Sequence, residues 1–299
     1  MAGPALLTAI GASTIVGRPG QRERARNTQG GQGAGVDESA RQRKVEDMRT
    51  DLMAEGPGSA RRAPSFVWKL AKKLYRHSIR FRARVPLMHT LFTEKEQMAN
   101  VAMQYVRSNC VPGDYLEFGS YEGNSFISAY HLAQAQGLQD MRFYSFDSFR
   151  GLPEFKGIDQ DRADAIQYYP GDFACDIQTF RRNLRSSGVG LAKVQLIEGF
   201  YEDSLKEELK AKLPIRAAAV VMVDCDLYES ARLVLDFVTD YLVHGSILMF
   251  DDWYNFKGDP QRGEQRAFYE WLARNPAIKT SRYLNFGWHG LSFIILRGN

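Results

Sequence analysis

The run Tyr115-Leu-Glu-Phe-Gly-Ser-Tyr-Glu-Gly-Asn-Ser125 does most to limit how this chain can fold. Tyr115–Phe118 is short and apolar-rich, the pattern of a buried strand, and Gly119 and Gly123 then frame a turn. Asn124 or Ser125 can cap a helix that runs to about Gln136. Strand, glycine turn and helix make the first half of a βαβ unit. Glycine lets backbone amides approach a ligand closely, and the helix N-terminus favours negative charge. The spacing is Gly-x-x-x-Gly rather than Gly-x-Gly-x-x-Gly, and any tight strand-to-helix connection would read the same way. Glu117 sharpens the reading, because a carboxylate late in a buried strand is costly without a cation or hydrogen-bond donors beside it.

Strands and helices alternate from there. Met141–Phe146 reads as a strand ending at Asp147, Asp176–Ser186 as a helix, and Lys193–Ile197 as a strand ending at Glu198. Ser204–Lys212 reads as a helix opened by a Ser204/Glu207 capping box. Ala217–Val223 is a strongly apolar strand, Leu227–Tyr241 a helix, Ser246–Phe250 a strand and Gln261–Ala273 a helix. Thr280–Asn285 and Leu291–Leu296 close the chain as a hairpin. Upstream, Thr93–Asn109 predicts a helix with a Thr93/Glu96 capping box and an apolar stripe of Met98, Val101, Ala102, Tyr105 and Val106. Such alternation predicts a doubly wound α/β fold with a mostly parallel sheet and an antiparallel closing edge.

The front of the chain has a different composition. Of the 39 Lys and Arg, 17 fall in residues 1–84, against 7 of the 35 Asp and Glu, so the remainder is net acidic. Residues 1–63, rich in Gly, Arg, Gln, Ser and Ala, bury too little apolar area to offset their ordering entropy. They read as a disordered basic extension with a short helix around residues 40–54. Residues 64–110 then form N-terminal helices that serve as a lid or a contact surface, and 111–299 form the α/β domain. In Ser65–Arg84, Phe66, Val67, Leu70, Leu74, Ile79 and Phe81 interleave with Lys69, Lys72, Lys73, Arg76, Arg80, Arg82 and Arg84. A basic amphipathic helix of this kind packs on its own domain with charges outward, or lies on an anionic membrane as a peripheral contact; nucleic acid fits it least.

No uninterrupted apolar run of about 18 residues exists to span a membrane. Met1–Val16 lacks the basic and long apolar regions of a signal peptide. Cys110, Cys175 and Cys225 have no metal spacing; they read as buried thiols and suit a reducing cytoplasm. The histidines at 77, 89, 131, 244 and 289 show no ligand spacing; His289, near the closing turn, can approach the rim but reads first as surface or packing.

Acidic residues stand where the strands stop: Glu117, Asp147, Glu198, Asp224 with Asp226, and Asp251 with Asp252. Ligands of open α/β sheets bind outside the carboxyl ends of the strands, so these acids are expected on one rim. Asp147 can accept hydrogen bonds from ribose hydroxyls, or serve the Asp147-Ser148 turn. If the fourth and fifth strands are neighbours, Asp224, Asp251 and Asp252 meet with too little positive charge nearby, an arrangement suited to Mg²⁺ or Ca²⁺. Asp226-Leu-Tyr-Glu229 instead has the form of a helix N-cap followed by an acid at its third position.

Four blocks also carry a family likeness: Pro-Gly-Asp-Tyr-Leu-Glu-Phe-Gly-Ser-Tyr-Glu-Gly at 112–123, Phe-Asp-Ser-Phe-Arg-Gly-Leu-Pro at 146–153, Val-Asp-Cys-Asp-Leu-Tyr-Glu-Ser at 223–230 and Phe-Asp-Asp-Trp at 250–253. In this order they resemble the macrocin O-methyltransferase family of class I, S-adenosylmethionine-dependent, metal-dependent enzymes, over about residues 87–296. The resemblance implies a Rossmann-like seven-stranded sheet with helices on both faces. It implies S-adenosylmethionine and Mg²⁺ as cofactors, and a sugar hydroxyl on a glycosylated natural product as methyl acceptor. By position, Glu117, Gly119 and Ser120 would line the methionine part of the cofactor, and Asp147 and Ser148 would hold its ribose. Asp224, Asp251 and Asp252 would hold the metal, with Asp224 doubling as the catalytic base. The chain departs from the family pattern at Cys225, where glycine is usual, and in the Ser120–Asn124 turn, where more glycine is usual. The same metal logic would serve a catechol-like diol, and a non-catalytic tethered module could retain the fold. The acceptor pocket is expected from Pro153–Asp172, Trp253–Arg262 and the N-terminal helices; homo-oligomerisation is left open.

Overall fold

The computed structural model describes residues 65–84, 93–160 and 168–298, within a compact unit that spans 63–299. The expectations for residues 1–63, for Met1–Val16 within them and for His89 lie outside the described residues. The elements in order are α1 (Ser65–Arg84), α2 (Glu94–Ser108), β1 (Asp114–Phe118), α3 (Asn124–Ala135), β2 (Phe143–Asp147), α4 (Ile177–Ser186) and β3 (Val194–Glu198). They continue as α5 (Tyr201–Ser204), α6 (Glu207–Lys212), β4 (Ala218–Val223), α7 (Tyr228–Val238), β5 (Leu242–Phe250), α8 (Gly263–Arg274), β6 (Ile278–Phe286) and β7 (Gly290–Arg297).

One seven-stranded sheet has the order β3-β2-β1-β4-β5-β7-β6. β1 to β5 are parallel, and β7 runs antiparallel between β5 and β6. The doubly wound reading holds, because side chains alternate across the sheet and both faces are covered. Leu116 and Phe118 share one buried layer with Val234 and Leu235 of α7 and Phe268 and Trp271 of α8. Tyr115 shares the other with Met103 and Val106 of α2, Phe126 of α3 and Phe180 of α4.

The predicted capping box opens α2: Thr93 accepts from the Glu96 amide at 3.3 Å, and Glu96 accepts from the Thr93 amide at 2.8 Å. Glu96 also accepts from Ser128 Oγ of α3 at 2.6 Å and the Tyr75 hydroxyl of α1 at 2.9 Å, so one carboxylate ties three helices together. α1 packs on its own domain. Ile79 is fully buried, and Lys72 Nζ and Arg76 Nη2 reach Glu122 at 2.7 and 2.8 Å. Leu70 and Leu74 remain 45% and 61% exposed on its outer side. No described helix is long and apolar enough to cross a membrane.

Four local expectations fail. Helix α3 begins at Asn124 after a left-handed Gly123, with no side-chain cap; Asn124 Oδ1 accepts from Arg76 and Ser125 donates to Glu117 instead. The Ser204/Glu207 box does not form, because the Ser204 hydroxyl turns back to the carbonyls of Gly199 and Phe200 and the helix breaks into α5 and α6. Asp226 is not the cap of α7. Its φ is 62°, and the Asp159 carboxylate takes the Tyr228 and Glu229 amides, both at 3.0 Å. Cys110 is exposed, whereas Cys175 and Cys225 are buried as expected.

Candidate active site

The sheet register builds the site. Phe118 pairs with Val223, and Val223 with Phe250, so Gly119, Asp224 and Asp251 leave the sheet side by side at its carboxyl edge. The strand order reverses between β2-β1 and β4, the switch point at which open α/β sheets bind ligands. Gly119 has φ +85°, and a Cβ there would lie 1.8 Å from the Asp224 carbonyl oxygen. Only glycine lets β1 turn this close to β4. The turn is then held by Asp147, whose carboxylate accepts from the amides of Ser120 at 2.7 Å, Tyr121 at 3.1 Å and Phe149 at 2.7 Å. Burial pushes the Asp147 pKa up, and those three amides oppose the rise.

Asp224, Asp251 and Asp252 come together as expected, with ligand atoms within 4.8 Å of one another. The expected shortage of positive charge is corrected in part by Lys95 of α2. Its Nζ lies 2.7 Å from Asp224 Oδ2 and 2.5 Å from Asp251 Oδ2. Burial works against the Lys95 charge, but the two carboxylates outweigh it and hold the ammonium well above the ordinary lysine range. His289 is also at the site rather than merely at the surface: its Nδ1 donates to the Asp251 carbonyl at 2.7 Å and lies 3.4 Å from Asp251 Oδ1. Burial raises Asp224 despite Lys95, whereas Lys95 and His289 overcome burial at Asp251 and lower it. Asp251 is thus the member of the pair that stays ionised most readily.

Asp252 accepts from Asn255 Nδ2 at 2.6 Å and from the Asp226 amide at 3.1 Å, while its own amide donates to Glu264 at 2.9 Å. Burial, then Asp226 and Glu264, push Asp252 well up. Asp226 is raised to about 6 by burial, relieved by a hydrogen bond from Tyr168. The donor set fits a hard divalent cation: carboxylate oxygens converge, and the buried Asp251 Oδ1 makes no closer polar contact than His289 Nδ1 at 3.4 Å.

A cavity opens over this cluster and is lined by Gly119, Asp147, Ser148, Asp224, Asp226, Asp251, Asp252 and Lys95. Leu152, Pro153, Tyr168, Leu227 and Leu233 add apolar walls, which places part of the expected acceptor loop there. Tyr121 and Phe173, 41% and 49% exposed, also line it, with ring centroids 6.0 Å apart. Ser148 Oγ donates to the Gly151 carbonyl at 2.7 Å. Glu117 and Ser120 are buried behind this lining. Glu117 accepts from Tyr115 and Ser125 hydroxyls, and Ser120 Oγ accepts from Ser145 at 2.9 Å. Glu198 is exposed and away from the cavity, so the rim of acids is shorter than expected.

Sequence reasoning missed Lys95, Tyr168 and Glu264 at this site. Only the capping box that fixes the start of α2 hinted that Lys95 had a defined direction.

Among proteins of known activity, the chain is similar to the 8-demethyl-8-(2,3-dimethoxy-alpha-L-rhamnosyl)-tetracenomycin-C 4'-O-methyltransferase of Streptomyces olivaceus, 30% identical over 154 residues, which is 50% of this chain and 57% of that protein. It is also similar to the demethyldecarbamoylnovobiocin O-methyltransferase of Streptomyces niveus, 28% identical over 169 residues, 55% of this chain and 62% of that protein. The chain thus spans less than two thirds of either relative. Two solved structures share its fold. The O-methyltransferase NovP has a TM-score of 0.58 at 24% identity, covering 68% of this chain and 80% of that one. The calicheamicin methyltransferase CalS11 has a TM-score of 0.54 at 22% identity, covering 89% and 99%. Residues 69–265 match the family model described as macrocin-O-methyltransferase (TylF), and the chain belongs to that family.

Proposed function

We propose that this chain transfers a methyl group from S-adenosylmethionine to a hydroxyl of a sugar-bearing small molecule, with Mg²⁺ held by Asp224, Asp251 and Asp252. The observation that carries this reading is the convergence of three carboxylates in the same cavity as the Gly119 turn and Asp147. Family membership supports the methyl donor, and the tetracenomycin relative, named for a rhamnosyl substrate, supports the acceptor class.

The chain's own residues divide the work. Gly119 keeps the first turn open to a ligand, and Glu117 and Ser120 hold that turn from behind. Asp147 orients three turn amides, two on Oδ2 and one on Oδ1, so its one remaining lone pair, on Oδ1, can still accept from a ribose hydroxyl beside Ser148. S-adenosylmethionine would supply an electrophilic methyl, and a divalent cation held by Asp224, Asp251 and Asp252 would supply the charge that lowers the pKa of an acceptor hydroxyl. Asp224, facing the cavity, would take the hydroxyl proton as the oxygen bonds to the methyl and the sulfonium–methyl bond breaks, the neutral thioether being the leaving group. Tyr121, Phe173 and Tyr168 offer ring faces to the acceptor and exclude water from the methyl's path.

Titration calorimetry with S-adenosylmethionine, followed by mass spectrometry of glycosylated, sugar-free and catechol acceptors, tests the reading. Cofactor binding and methylation on a sugar are the expected results. Absence of cofactor binding contradicts the enzyme reading, and methylation of catechols alone contradicts the acceptor class.

A further inference from the structure

Lys95 holds the same two carboxylates that a metal would need. Its ammonium contacts Asp224 Oδ2 and Asp251 Oδ2 at 2.7 and 2.5 Å. Its root is fixed: Lys95 lies in the first turn of α2, between Thr93 and Glu96 of the capping box, and Glu96 is bonded to both Ser128 and Tyr75. Its arm is not fixed in the same way. The side chain lines the cavity and is 25% exposed, so its flexible stem has open space to swing into.

The charge balance shows why this contact is provisional. One ammonium faces Asp224 and Asp251 directly and His289 Nδ1 stands 3.4 Å from Asp251 Oδ1, against an acid cluster that also holds Asp226, Asp252 and Glu264. With Lys95 in place, Asp251 Oδ1 still has no polar neighbour closer than His289 Nδ1 at 3.4 Å. A divalent ion on the three aspartates would satisfy more of these oxygens, but an ammonium and a divalent ion crowded onto the same two carboxylates would repel each other strongly.

We propose that Lys95 is a built-in counter-ion of the acid cluster, which competes with a divalent cation for Asp224 and Asp251 and withdraws from them when the cation binds. This rests on the metal reading given above. Lys95 lets the cluster fold without metal and sets how tightly metal is then held.

The test is calorimetric titration of the full chain with Mn²⁺ as the probe, comparing wild type, Lys95→Met and Lys95→Arg, with a thermal melt of each. Lys95→Met should bind Mn²⁺ at least about tenfold more tightly, within the usual range for coupling between two ligands. Without metal it should melt below wild type, and Mn²⁺ should raise its melting temperature more. Lys95→Arg keeps the charge and should stay close to wild type in affinity. If Lys95→Met fails to fold, Lys95→Gln carries the same prediction. Equal or weaker Mn²⁺ binding by the neutral variants, with wild type still binding, overturns the counter-ion role and leaves the metal site standing. No Mn²⁺ binding by any of these proteins overturns the metal reading itself, and this proposal with it.

Discussion

At Glu117, burial and charge oppose each other directly. The side chain is fully buried, and burial raises its pKa to about 7 in spite of hydrogen bonds from Tyr115 and Ser125. The unfolded chain releases this proton near 4.5, so the folded state binds the extra proton between these values. The stability this provides is complete below about pH 4.5 and is lost as pH rises through about 7. Glu117→Gln should therefore gain on wild type across that window by up to about 3 kcal/mol, measured by urea unfolding at several pH values. A difference that does not change with pH would contradict the buried-proton account. Asp159 carries a second residue-scale prediction. Because it caps α7 from a loop, Asp159→Ala should cost about 0.5–2 kcal/mol in the same assay, whereas Asp226→Asn should leave α7 capped. The sequence pattern at Asp226-Leu-Tyr-Glu229 pointed to the wrong aspartate for a physical reason. Local spacing records who can cap, but a positive φ at Asp226 turns that residue toward Asp252 and leaves the amides to a distant partner.

Elements whose identity depends on periodicity were legible. The strands β1, β2, β4 and β5 follow from short apolar runs that end in acids, and α2 from its cap and stripe. The breaks were not legible: nothing in Ser204–Lys212 shows that the Ser204 hydroxyl will prefer the carbonyls behind it and split the helix. The basic face of α1 was ambiguous for a similar reason. A row of Lys and Arg is compatible with a membrane or with internal partners, and the partner here, Glu122, lies some 50 residues away. Glu122→Ala removes the acceptor of both Lys72 and Arg76 and should cost about 1–3 kcal/mol, as for hydrogen bonds to charged groups. Limited proteolysis should then cut within α1 sooner than in wild type. Unchanged cleavage would mean that the packing around Ile79, with the Tyr75–Glu96 and Arg76–Asn124 hydrogen bonds, holds the helix without Glu122.

For the whole molecule, topology brings distant residues to one place. Placing β4 between β1 and β5 sets Gly119, Asp224 and Asp251 side by side, and α2 then delivers Lys95 from 129 residues before Asp224. The acids could be read from the sequence because strand ends share one edge, but Lys95 could not, since no local pattern records where a helix start will dock. The cavity thus combines a glycine turn, an acid cluster and an aromatic mouth, the parts that the proposed methyl transfer would use. The most direct test is the rate of labelled methyl transfer from S-adenosylmethionine to a glycosylated acceptor by wild type and by Asp224→Asn. Asparagine keeps the shape but removes the proposed base and one metal ligand, so the account predicts a loss of at least about 10²-fold with the fold intact. Wild-type turnover by Asp224→Asn, in the presence of excess EDTA as well, would contradict it.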